Sequence, residues 1–130
     1  MKKTSLIGFL LFIIVSAAPI AHAYCPIGNY SVKGWNPGIA AVGAPSYVGE
    51  ASVQSVGDTC QMSWKIATQR FGGVGFYLDA GKIFTIAYAD LKAGWFGNVT
   101  YVDKGTYLEG KWVVYGDKAG KLGTEILTKK

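Results

Sequence analysis

The sequence predicts an all-β protein, a small antiparallel up-and-down β-barrel of about eight strands. Three observations carry this. Apolar residues alternate with polar ones over short runs instead of recurring at helical spacing. Glycine-bearing turn clusters interrupt those runs at short intervals. Eight such runs follow one another within about a hundred residues, which suits a barrel that closes on itself and leaves no strand edge. A two-sheet β-sandwich is the alternative architecture.

Residues 1–23 read as a secretory signal peptide. Lys2 and Lys3 give a positive start, Leu6 to Ala18 is apolar, Pro19 breaks the run, and Ala21-His22-Ala23 supplies the small-x-small cleavage pattern. The apolar run is shorter than the ~20 residues a membrane span needs. A lipid anchor on Cys25 would need a small residue before it, and Tyr24 stands there. The expected product is exported, periplasmic or secreted, starts at Tyr24 and keeps no membrane span. Removing 23 of 130 residues leaves 107, a single domain. Net charge falls from +5 to +3 with the loss of Lys2 and Lys3.

Composition narrows the chemistry. The chain is 50% hydrophobic and 16% charged, which excludes a disordered or acidic solvating segment. Its one histidine, His22, leaves with the signal peptide. Arg70 is the single arginine, so the dense basic stripe of a nucleic-acid binder is missing. Cys25 and Cys60 remain, and in an exported chain an even count reads as a disulfide, here with one possible pairing. Closing a loop of this length stabilises by about 3–4 kcal/mol on the chain-entropy estimate. A thiol nucleophile would lack a histidine base, and two cysteines without histidine do not make a zinc site. No metal and no cofactor are expected.

The strands are expected near Asn29–Lys33, Tyr47–Val56, Gln61–Thr68, Val74–Leu78, Ile83–Ala89, Asn98–Val102, Tyr107–Tyr115 and Thr124–Thr128. Two of them alternate cleanly. Met62, Trp64 and Ile66 oppose Gln61, Ser63 and Lys65; Leu108, Gly110, Trp112 and Val114 oppose Glu109 and Lys111. Tyr30, Trp64, Phe76, Phe84, Tyr88, Tyr101 and Trp112 are expected to point inward, where they either fill the barrel or line a cavity. There is no repeat, low-complexity tract or linker, and Asn98-Val99-Thr100 has only the form of a glycosylation sequon.

The links between strands fall into two classes. Gly57-Asp58-Thr59, Asp79 to Lys82 and Asp103 to Thr106 are short, polar and glycine-bearing, as hairpin turns are. Gly34–Ser46, Gln69–Gly73, Asp90–Gly97 and Gly116–Gly123 are longer and carry Trp35, Phe71, Trp95, Phe96, Arg70 and several lysines. In a meander the two classes lie at opposite ends. Cys25 and Cys60 both lead into strands that start from the plain end, so their bridge would sit there.

The decorated end is the candidate binding site, with Trp35, Asn36, Arg70, Phe71, Trp95 and Phe96 as its residues. Loops on a rigid scaffold carry binding, barrel mouths hold ligands, and Trp and Arg are enriched at hot spots. The alternative for Trp35 and Trp95 is that they plug the barrel end as core. Catalysis is not expected. The carboxylates Glu50, Asp58, Asp79, Asp90, Asp103, Glu109, Asp117 and Glu125 are spread over turns and strands and are expected to be solvated or in cross-strand pairs. Gly72-Gly73-Val74-Gly75 does not open a helix and so is no phosphate loop.

Taken together, Gly28-Asn29-Tyr30-Ser31-Val32, Gly34-Trp35-Asn36-Pro37, Tyr47-Val48-Gly49-Glu50, Trp64, Gly73-Val74-Gly75, Leu108 to Trp112 and Gly123 to Leu127 are similar to small exported bacterial β-proteins often labelled fibronectin-binding proteins. The label implies an extracellular-matrix partner. The strand pattern also resembles lipocalin- and avidin-like barrels, in architecture alone. The expected function is a non-enzymatic, exported module that binds a macromolecule, protein or other, through the decorated end. A barrel holding a small apolar ligand inside and a secreted enzyme inhibitor using Gly34–Ser46 are the alternatives. Cavity volume discriminates the first two: a few hundred cubic ångströms favours a small ligand, a filled barrel favours surface binding.

Overall fold

A computed structural model describes Ile13 and residues 25–130. The expected signal peptide apart from Ile13, its cleavage site, His22 and Tyr24 lie outside the described residues. Eight strands follow in order: β1 (Gly28–Trp35), β2 (Tyr47–Val56), β3 (Thr59–Ile66), β4 (Gln69–Leu78), β5 (Ile83–Asp90), β6 (Phe96–Asp103), β7 (Tyr107–Val114) and β8 (Gly123–Lys129). Each pairs antiparallel with the next, and β8 pairs with β1, closing an up-and-down barrel. The sandwich alternative is thereby excluded.

The inward face follows from period-2 alternation. Tyr30 and Val32 on β1, Met62 and Trp64 on β3, Phe84, Ile86 and Tyr88 on β5, and Val99 and Tyr101 on β6 all belong to one buried cluster. Outward positions of β1 and β3 are polar: Asn29, Ser31 and Lys33, then Gln61, Ser63 and Lys65. The most deeply buried large side chains are Tyr101, Phe84, Ile86, Leu127 and Val32.

Two expectations about β4 are corrected. Gln69–Gly73 is strand and not a long connection, because Ala67-Thr68 alone joins β3 to β4. The paired glycines that read as a turn serve close packing: a Cβ on Gly73 would lie 2.4 Å from Ile86 Cγ2. Phe76 faces outward and is half exposed, whereas Tyr77 is buried. With glycine at 72, 73 and 75, no apolar alternation fixed the phase of this strand.

The plain end carries Gly57-Asp58, Asp79 to Lys82 and Lys104 to Thr106, as expected. The other end carries three longer connections, 36–46, 91–95 and 115–122, beside the tight β3–β4 hairpin. Cys25 and Cys60 are bridged at the plain end.

Candidate functional site

The loop end holds a half-open cavity of about 140 Å³. Its walls come from strand ends and loops: Tyr47, Trp64, Phe71, Tyr88, Trp95 and Trp112 supply rings, and Asn36, Gln69 and Glu125 supply polar groups.

Glu125 is the centre of this arrangement. It lies on the inward face of β8, 5% exposed. Its direct partners on the neighbouring strands are both glycines, Gly34 on β1 and Gly110 on β7. The space those glycines leave is filled by aromatics from one strand further on. A Cβ at Gly34 would collide with the Tyr47 ring, and one at Gly110 would lie 2.5 Å from the Tyr101 ring. Both tyrosines reach across to the carboxylate. Tyr47 donates to Oε2 at 2.8 Å, Tyr101 donates to Oε1 at 2.7 Å, and Trp64 Nε1 donates to Oε1 at 2.9 Å. A third glycine, Gly123, seats Trp112 in the same way; a Cβ there would lie 2.1 Å from the indole. Trp112 in turn packs edge-to-face on Tyr47.

Burial without a cationic partner sets the electrostatics. Desolvation raises the Glu125 pKa above its ordinary value, while hydrogen bonds from Tyr101, Tyr47 and Trp64 act to lower it. The tyrosines respond as neighbours of a negative charge should. Burial first, and then Glu125, push Tyr47 and Tyr101 far above the ordinary tyrosine value, and push Tyr88 up to about 12. All three hydroxyls therefore stay protonated, and those of Tyr47 and Tyr101 remain donors to Glu125.

The second half of the wall is an edge-to-face chain of rings. Trp64 meets Tyr88 at 6.2 Å between centroids, Tyr88 meets Phe71 at 6.3 Å, and Phe71 meets Trp95 at 5.3 Å. Trp95 is held at the mouth by its loop. Asp90 donates its backbone N–H to the Trp95 carbonyl, and Asp90 Oδ1 accepts from the N–H groups of Lys92 and Ala93, closing a tight side-chain-capped turn. On the opposite side, the Gly38 N–H donates to the Leu122 carbonyl and the Asn36 N–H donates to Ser46 Oγ. These bonds fix Asn36 at the rim.

Of the residues singled out from the sequence, Asn36, Phe71 and Trp95 meet in this cavity. Arg70 does not. It is exposed and lines a separate surface groove with Glu50, Lys65 and Lys130. Phe96 is also exposed and stacks on Tyr115 at 5.0 Å. Trp35 is 5% exposed on the outer side of β1, paired in register with Thr124, so it neither stands free on a loop nor lines the mouth. The expectation that every carboxylate is solvated or in a cross-strand pair is corrected by Glu125. Its strand, Thr124-Glu125-Ile126-Leu127-Thr128, lacks clean alternation, and a lone glutamate there reads as surface. The available signal was the set of glycines at 34, 110 and 123, which acquires meaning only with the strand register.

Comparison with models of known protein families and with curated proteins finds no match for this chain.

Proposed function

We propose that the protein is an exported, non-enzymatic binding module whose loop end is its binding face, with the mouth cavity accepting one small group of the partner. The observation that carries this reading is an aromatic-walled cavity open at one end of the barrel, above a cluster of buried side chains that includes Phe84, Tyr101 and Leu127. At about 140 Å³ the cavity is below the few hundred cubic ångströms of a barrel that swallows a whole ligand. It is close to the ~150 Å³ of engineered protein cavities that take up a single benzene. The three long loops at the same end expose Ile39, Val42, Leu91, Tyr115 and Leu122, apolar side chains available to a larger partner. The disulfide fits an oxidising destination. The resemblance noted above makes an extracellular-matrix protein the first partner class to try.

The test is capture of partners from host and bacterial extracts with the disulfide-bonded protein, followed by affinity and melting measurements on variants. Trp95→Ala should weaken binding by about 1–3 kcal/mol with the melting temperature little changed, as an anchor at the rim does. Substitutions at Asp79, Lys82 or Lys104, at the plain end, should change affinity little. Loss of binding through the plain-end variants, with Trp95→Ala silent, overturns the assignment of the binding face.

A further inference from the structure

We infer that the group admitted at the mouth is a small organic cation, an alkylammonium, held by the Glu125 carboxylate within the cage of aromatic rings. This rests on the reading of the mouth as a binding pocket and adds the chemical class of what enters it.

Four observations converge. The first is a buried carboxylate whose partners are all neutral. Trp64, Tyr101 and Tyr47 satisfy three of its acceptor positions and bring no compensating charge. Among the described residues the only ion pair is Lys130 with Glu50, on the outer surface. Burial without a counter-ion disfavours the ionised form of Glu125, and a cation seated beside it favours that form and offsets part of the desolvation cost. The second is spare acceptor capacity. Oε2 takes a single hydrogen bond, from Tyr47, and the Asn36 and Gln69 amides stand in the same walls. The third is the ring cage, since aromatic faces attract ammonium groups and do so more strongly when water is excluded. The fourth is size. The cavity suits a short alkylammonium or the end of a lysine side chain and leaves no room for a long ligand. A neutral apolar guest would fill the same space and leave the carboxylate uncompensated.

One chemistry, a protonated amine, comes from two sources: a free alkylamine or a lysine side chain presented by a partner protein. The probes are isobutylamine and isobutanol, which share a shape and differ in charge, with Nα-acetyl-lysine N-methylamide standing for the lysine source. Binding is followed at neutral pH through the indole N–H resonances of Trp64, Trp95 and Trp112. Isobutylamine should bind at least about tenfold more tightly than isobutanol. Glu125→Gln keeps an acceptor for Trp64 and Tyr101 but removes the charge, and should bring the two probes within about twofold of each other. Trp95→Ala leaves the carboxylate untouched. It should weaken both probes and keep the preference for the amine, so the inference stays testable if Glu125→Gln fails to fold. Binding of the lysine analogue together with isobutylamine assigns the source to a partner's side chain; binding of isobutylamine alone assigns it to a free amine. Equal binding of isobutylamine and isobutanol to the unaltered protein overturns the cation and leaves the pocket standing. Absence of any shift with either probe overturns the pocket as well.

Discussion

Glu125 owes its surroundings to the residues opposite it. A glutamate on the inner face of a barrel strand would normally meet two side chains across the ladder; here it meets Gly34 and Gly110. The missing side chains let Tyr47 and Tyr101 lean over the glycines and donate to the carboxylate. This geometry has a pH signature. Burial holds the folded-state Glu125 pKa above the ordinary 4.5, so between the two values the folded chain binds more protons than the unfolded one. Stability therefore falls as pH rises from about 4.5 through the raised value. Glu50 works the other way. Its hydrogen bond to Lys130 lowers its pKa, so its contribution is present above 4.5 and is lost as pH falls through the lowered value. Thermal melts across the acid-to-neutral range should show the decline above 4.5 in the unaltered protein and its absence in Glu125→Gln. The acid-side loss tied to Glu50 should persist in both. An unchanged profile in Glu125→Gln would show that the carboxyl is not perturbed by its site.

Strands and turns differ in how far they could be read. β2 was legible to the residue and β5 and β7 to within one residue at one end. β3 was placed two residues late at both ends, but its clean alternation, like that of Leu108 to Val114 in β7, gave the inward face. β4 and β8 were found as strands, but their phase was not, and the phase decides what faces the cavity. In β4 three glycines carry no inward or outward signal; in β8 Ile126 and Leu127 are adjacent and point to opposite faces. The β3–β4 link was misplaced for a related reason. Its turn, Ala67-Thr68, contains neither glycine nor a proline, aspartate or asparagine, whereas Gly72-Gly73 looks like a turn and is strand. Ala67 nevertheless adopts φ 53°, in the left-handed region. That conformation costs a non-glycine residue about 1–2 kcal/mol, against about 0.5–1 kcal/mol that glycine loses through its freer unfolded chain. Ala67→Gly should therefore raise stability by about 0.5–1 kcal/mol in a denaturant melt, with the amide spectrum changed only around the hairpin. A loss of stability would mean that this turn is not the tight hairpin described.

At the scale of the whole molecule the barrel divides along its axis. The lower part is packed with Phe84, Leu127, Val32 and Met62 and is tied by Cys25–Cys60 beside three short turns. The upper part gives up packing to an aromatic cavity, a buried carboxylate and three long loops. Packing and the disulfide are thus concentrated at one end and, on the proposed reading, recognition at the other, and the two should separate experimentally. Replacing both cysteines by serine removes a loop constraint spanning 35 residues of sequence. On the chain-entropy estimate this costs about 3–4 kcal/mol. Sites this far apart with no shared partners add nearly independently, to within about 0.3–0.5 kcal/mol. The double variant should therefore melt at a clearly lower temperature, while its affinity for isobutylamine, measured well below that melt, stays within about twofold of the unaltered protein's. Glu125→Gln should show the converse: a changed preference between amine and alcohol with the Cys25–Cys60 bridge intact by mass spectrometry. If removing the bridge abolishes probe binding at a temperature where the chain is still folded, the cavity depends on the plain end, and the barrel acts as a single cooperative site rather than as a scaffold with one working face.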